Sequence, residues 1–231
     1  WDTPSRVTKS VPCLRVEQAP TIDGKLNEGL WEEVAAARDF TILHSYRPSE
    51  YPTEARFLCD AKHLYVGIRC TDPELDELVV NASGPDDKRI WLDDNVQLFL
   101  DVNRDRKSYV RFAFNAAGAV FDGNGYNDHW AGPRYHSLQL LQHARFWNPK
   151  WRGQLTVKSG RETRAWTVEV ALPWSTLGLE GPLRAEMGLH LTRTHARSGE
   201  RSEWNVTGRD RNTGAMLPHH FSGGCVQHHV V

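Results

Sequence analysis

The 231-residue chain carries 28 Lys and Arg against 29 Asp and Glu, a formal net charge of -1, so it has no basic field to draw in nucleic acid or an acidic membrane surface. No apolar run approaches the roughly 20 residues that span a bilayer, and the opening WDTPSRVTKS lacks an apolar signal core. The chain is expected to be soluble, without nucleic-acid or membrane partners. With no shift in composition, it reads as a loose extension over 1–10 and a single domain over 11–231.

VPCLRV reads as a first strand that Pro12 confines to an edge. In APTIDGKLNEGLWEEV, Asp23-Gly24 is a tight turn, and Asn27 is placed to cap a short helix bearing Leu30, Trp31 and Val34. Ala55 to Asp60 and His63 to Thr71 make a hairpin, with Leu64, Val66 and Ile68 inward. Asp72 to Arg89, rich in Asp, Pro, Gly and Asn, is a long surface loop leading to Trp91. In the stretch IWLDDNVQLFLD, Val96, Leu98 and Leu100 point one way and Asn95, Gln97 and Asp101 the other, with Phe99 the exception on the polar face. YVRFAFN repeats the pattern, which sets Gln97, Arg111 and Asn115 on one side of a hairpin.

Asp122 to Trp151 is irregular and aromatic, and reads as an ordered insertion. Then come Leu155 to Lys158 paired with Ala165 to Leu172, one helical turn at Pro173-Trp174-Ser175, a strand from Gly188 to His195, the run SEWNV, a loop from Thr207 to His220, and a last strand near Gly224 to Val231. Strands at these intervals with one or two short helices specify an all-β fold, an antiparallel sandwich of two packed sheets of the jelly-roll or immunoglobulin-like kind.

The four cysteines show neither CxxC nor CxxCH spacing, which excludes a zinc ribbon and a c-type haem. Cys59 and Cys70 run in phase with apolar neighbours and read as buried hydrophobes. Cys13 and Cys225 lie near opposite ends of the chain, where first and last strands of a sandwich pair, and are the candidates for a disulfide that would suit an exported protein. Eleven histidines include the pairs His219-His220 and His228-His229 but no HExxH, and read as a solvated tail.

Seven runs, IDGKLNEGLW, CDAKHLYVGIRCTDP, IWLDDNVQLFLDVN, RFAFNAAGAVFD, WTVEVALPWSTLGL, MGLHLTR and LPHHFSG, follow one another from about Leu14 to Val226 in the order and spacing of the family 9 carbohydrate-binding modules, which the chain resembles. The resemblance implies a sandwich of two antiparallel sheets, bound calcium, and non-catalytic gripping of a poly- or oligosaccharide. It further implies a secreted or periplasmic setting and partnership with a polysaccharide-degrading enzyme. The family's first stacking tryptophan falls on Trp91, its acidic residue on Gln97, its asparagine on Asn115 and a polar strand residue on Thr192, while its arginine falls on Ala113 with Arg111 two residues earlier.

Sugar hydroxyls take planar amide, carboxylate and guanidinium partners, and sugar C–H faces stack on aromatic rings. The expected ligand set is therefore Trp91, Gln97, Arg111, Asn115, His190 and Thr192, with a second ring from Trp204 or from Tyr126, Trp130 and Trp147 of the insertion. Asp93, Asp94 and Asp122 are the candidate calcium ligands. Two alternatives stay open: a polysaccharide hydrolase or lyase with a carboxylate pair such as Asp94 and Glu203, and a b-type haem domain with Met187 or Met216 as axial ligand.

Overall fold

The computed structural model describes residues 9–43, 45, 47–104, 108–126, 147–148, 150–183, 186–205 and 225–229, with the backbone alone for Tyr126, Trp147 and 225–229. Strand forms where the period-2 alternation is strongest. β1 (Ser10–Arg15), β2 (Thr41–Ile42), β3 (Thr53–Cys59) and β4 (His63–Thr71) precede the long loop, and β5 (Asn95–Asp101), β6 (Ser108–Asn115) and β7 (Val120–Tyr126) follow it. β8 (Trp147–Asn148), β9 (Thr156–Glu162), β10 (Ala165–Pro173), β11 (Met187–His195), β12 (Glu200–Glu203) and β13 (Cys225–His229) complete the described strands. Among the described residues, helix is limited to α1 (Gly29–Glu32) and to 3-10 turns such as Lys88–Leu92 and Trp174–Leu177.

Hydrogen bonding runs unbroken in the order β8-β7-β6-β5-β11-β13-β1-β3-β4-β10-β9, with β12 and β2 added beside β11. β1 pairs in parallel with both β13 and β3, whereas the other pairings are antiparallel. The path doubles back there, so that β5, β6 and β11 face β3, β4 and β10. Val96, Leu98, Phe112, Phe114, Leu189 and Leu191 from one sheet share a core with Phe57, Val66, Ile68, Val168 and Val170 from the other. Each such side chain gains about 1.5–3 kcal/mol on leaving water, which fixes the register of every strand that carries one. The expected sandwich of two antiparallel-dominated sheets is the fold found.

Three local expectations change. Glu28, not Asn27, stands at the helix start, and it makes no side-chain cap bond; α1 is held by the burial of Trp31 and not by its cap. The insertion opens as strand, since Asp122 to Tyr126 belong to β7, and residues 127–146 lie outside the described part.

The expected Cys13–Cys225 disulfide does not fit the register. Cys225 stands opposite Ser10, and Cys13 opposite His228. At about 3.3 Å per residue that offset is near 10 Å, beyond the roughly 7 Å that a disulfide spans between Cα atoms. Cys13 is free and buried, and its thiol is hydrogen-bonded to Cys59, a contact that together with burial raises its pKa.

Candidate functional site

The outer face of β5, β6 and β11 carries the polar and aromatic residues left over from the core. The turn that brings Trp91 to it is fastened from several sides. Asp87 caps the turn by accepting from Arg89 N, and Ile90 buries itself among Ala82, Ala113, Ala119 and Phe121. Asp93 accepts from Asn81 N at 2.7 Å, Ala82 N at 2.9 Å and Asn115 Nδ2 at 2.9 Å. Asn95 Nδ2 donates to the carbonyls of Ile90 at 3.0 Å and Asp93 at 2.9 Å. Trp91 is thus laid over the sheet by a rigid loop, half-exposed, with its ring edge-on to Phe121 at 4.9 Å between centroids.

Register then assembles the rest in two rows. Thr192, Gln97, Ala113 and Phe121 stand opposite one another on successive strands, as do His190, Phe99, Arg111 and Gly123. Arg111 joins the rows: its Nη2 donates to Gln97 Oε1 at 2.6 Å, and its guanidinium lies 4.3 Å from the Trp91 ring centre and 5.1 Å from that of Phe99. Gln97 Nε2 in turn donates to Asn95 Oδ1 at 3.2 Å. Burial draws the Arg111 pKa down to about 10, so the group stays charged at neutral pH. Tyr109 lies across Gly125, where an added Cβ would stand 2.6 Å from its ring, and borders Phe99 at 6.1 Å.

Of the expected ligand residues, Trp91, Gln97, Arg111 and Thr192 meet on this face and remain partly exposed. Asn115 does not serve there. It is fully buried and its amide is fully used, donating to Ala82 O and Asp93 and accepting from Ala117 N and Ala119 N. His190 is on the face but only 2 % exposed, under Phe99 and 3.9 Å from Glu203 Oε2. Trp204 is in the main core at 2 % exposure and cannot be a second stacking ring. Tyr126 is described only as backbone of β7, and Trp130 lies outside the described residues. Phe99, Tyr109, Phe121 and Glu203 lie on the same side of the sheet outside the expected ligand set, with Phe99, Phe121 and Glu203 buried. Their alternation with core residues was the available signal.

The carboxylate pair of the hydrolase alternative is not brought together. Asp94 turns into the end of the sandwich toward Asp72 and His195, while Glu203 faces His190 on the outer side. Met187 is fully buried in the core, and Met216 lies outside the described residues.

The sandwich end holds a second polar group. Asp72, Asp94 and His195, all buried, bring one ligand atom each within 4.8 Å of one another. Asp93 and Asp122, the other expected metal ligands, are not in this group: Asp93 holds the Trp91 loop, and Asp122 accepts from Gly153 N, its pKa raised by burial. His195 Nε2 lies 3.1 Å from Asp72 Oδ2, and its Nδ1 accepts from Ser198 N at 3.3 Å, which makes Nε2 the protonated nitrogen of the neutral ring. Tyr51 stacks on that ring at 3.5 Å, and burial lowers the His195 pKa.

The model of the family described as carbohydrate family 9 binding domain-like matches residues 22–214. A family 9 carbohydrate-binding module from Caldicellulosiruptor kristjanssonii in complex with cellotriose is 19% identical with a TM-score of 0.58, over 95% of this chain and 93% of that one. The glucose complex of a family 9 module from the same organism gives 18% and 0.59, over 96% and 97%. A protein from Bacteroides uniformis ATCC 8492 gives 14% and 0.65, over 96% of this chain and 100% of the other. Among curated proteins none matches the chain in sequence. At these identities the solved structures speak for the fold, and the family model, which covers most of the chain, supplies the membership: the protein belongs to the carbohydrate family 9 binding domain-like family.

Proposed function

We propose that the chain binds a poly- or oligosaccharide, without chemistry, on the outer face of β5, β6 and β11. One observation carries the reading: a half-exposed tryptophan held on a rigid turn, with a charged guanidinium fixed over it and an amide fixed to the guanidinium. The Arg111–Trp91 stack offers N–H donors and an aromatic ring side by side. A pyranose needs both, for its hydroxyls and for its C–H face. Because Arg111 already lies over Trp91, the sugar meets the stack as a unit and is not held between two parallel rings. Thr192 and Gln97 supply further hydroxyl and amide partners in the adjoining row. Family 9 modules that this chain resembles in fold are solved with cellotriose and glucose, which makes glucose-based oligosaccharides the first ligands to try. The corresponding setting is outside the cytoplasm, alongside an enzyme that degrades the same polymer.

Calorimetric titration with cello-oligosaccharides and a glycan array, run on wild type, Trp91→Ala and Gln97→Ala, tests this. Loss of about 10- to 100-fold in affinity on removing Trp91 is expected, from 1.4 to 2.7 kcal/mol of stacking and shielding. Equal binding by wild type and Trp91→Ala would move the site elsewhere. Release of reducing sugar by the pure protein would replace binding with hydrolysis.

A further inference from the structure

We infer that the acidic group at the sandwich end is balanced by the chain's own cations, Arg197 and Arg193, and that this chain does not use there the calcium its family leads one to expect. The group gathers three potential metal ligands, but its donor chemistry is wrong for a hard ion. Calcium takes six to eight oxygen ligands. Here the carboxylate oxygens face N–H groups: Asp72 accepts from Glu74 N at 3.0 Å and Arg197 at 3.3 Å as well as from His195, and Asp94 accepts from Val79 N at 2.7 Å and Ala196 N at 2.9 Å. The third member is a nitrogen ligand whose nearest nitrogen already carries a proton toward Asp72.

Charge closes the argument. Arg197 stands among three carboxylates, 3.3 Å from Asp72, 2.9 Å from Glu74 and 3.2 Å from Glu77, which is the place a cation would take. Arg193, 1 % exposed, binds the carbonyls of Tyr51, Pro52 and Thr71, and its charge, like that of Arg197, acts on His195 against those of the two aspartates. Asp72 thus already meets a guanidinium, and a divalent ion bound there would have to displace it.

The test is the melting temperature of the whole chain in EDTA and in millimolar calcium, with bound metal measured by elemental analysis after dialysis. Wild type is expected to melt within about 1 °C in the two buffers and to retain no stoichiometric calcium. A rise of about 5 °C or more with calcium, or one bound ion per chain, overturns the inference. Arg197→Ala leaves the carboxylates in excess, so its Tm should fall by about 3–8 °C in EDTA and by less in calcium. No fall, or an equal fall in both buffers, removes Arg197 from the role of stand-in cation. Should Arg197→Ala not fold, Arg197→Lys keeps the charge and is expected to melt near wild type without a calcium response; a response in that variant counts against the inference. Because none of these measurements involves sugar, they stand or fall separately from the binding site.

Discussion

The two sheets of the sandwich treat their outer faces in opposite ways. On β3, β4 and β10 one part of the outer face is apolar, with Leu58, Tyr65 and Ala171, and the segment around α1 closes over it with Val16, Trp31 and Val34. Trp31 lies directly on Gly67, where an added Cβ would stand 3.0 Å from its ring, and its Nε1 donates to the buried Glu169 at 3.2 Å. On β5, β6 and β11 the outer face holds the partly exposed Gln97, Arg111, Thr192 and Trp91, and among the described residues the turn before β5 reaches over its margin. Both faces use a tryptophan beside a polar group. The difference is that one tryptophan is spent on closing the fold and the other is left at the surface, so stability and binding should separate cleanly between the faces.

The sharpest way to break this contrast is to truncate each ring. Trp31→Ala opens a cavity and removes the indole donor to Glu169 Oε1, and is expected to cost about 3–5 kcal/mol in denaturant unfolding while the folded fraction keeps its sugar affinity. Trp91→Ala should do the reverse, with the 10- to 100-fold loss of binding and a change in stability under about 1 kcal/mol. If the first weakens binding as much as the second, the faces are coupled and the division is wrong. A smaller effect is expected at Leu92, beside Trp91 and 68% exposed: Leu92→Ser should leave stability within about 0.5 kcal/mol, as measured by the same unfolding experiment.

How much of this was legible in the sequence depended on whether the signal was local. IWLDDNVQLFLD announced both its strand and its faces, because alternation is written into neighbouring residues, and Trp91, Gln97, Arg111 and Thr192 do meet on one side of the sheet. Trp204 was misplaced because SEWNV is too short to fix its phase, and one step of phase turns a surface ring into a core ring. Glu203 opposite Thr192 settles it. Asn115 has the right chemistry for a sugar, but its amide is consumed by the β6–β7 turn, which only coordinates reveal. The sandwich-end group pairs Asp72 with His195, 123 positions away. No spacing rule reaches across such a separation, whereas the Arg111–Trp91 stack needed both the register and a side-chain direction.

The last predicted effect concerns Glu169, and it separates the covered face from the rest of the molecule by its sign. Burial raises the Glu169 pKa to about 6 from 4.5, and the charges of Glu28 and Asp23 add to the rise, against hydrogen bonds from Gly24 N at 2.7 Å and Asp23 N at 3.0 Å. A carboxyl with a raised folded-state pKa contributes stability that is fully present below about pH 4.5 and is lost as pH climbs to about 6. The loss over that window is on the order of 1–2 kcal/mol. His195 runs the other way: its pKa is lowered by burial, so its contribution is lost as pH falls. Bulk stability against pH would blur the two. The difference in unfolding free energy between wild type and Glu169→Gln isolates the first, because the amide cannot titrate while His195 is common to both. That difference should shift in favour of Glu169→Gln between pH 4.5 and 6.5 and stay level above. A flat difference across the window would mean that the loop around Gly24 holds the carboxylate as well as water does, and that closure of this face rests on Trp31 alone.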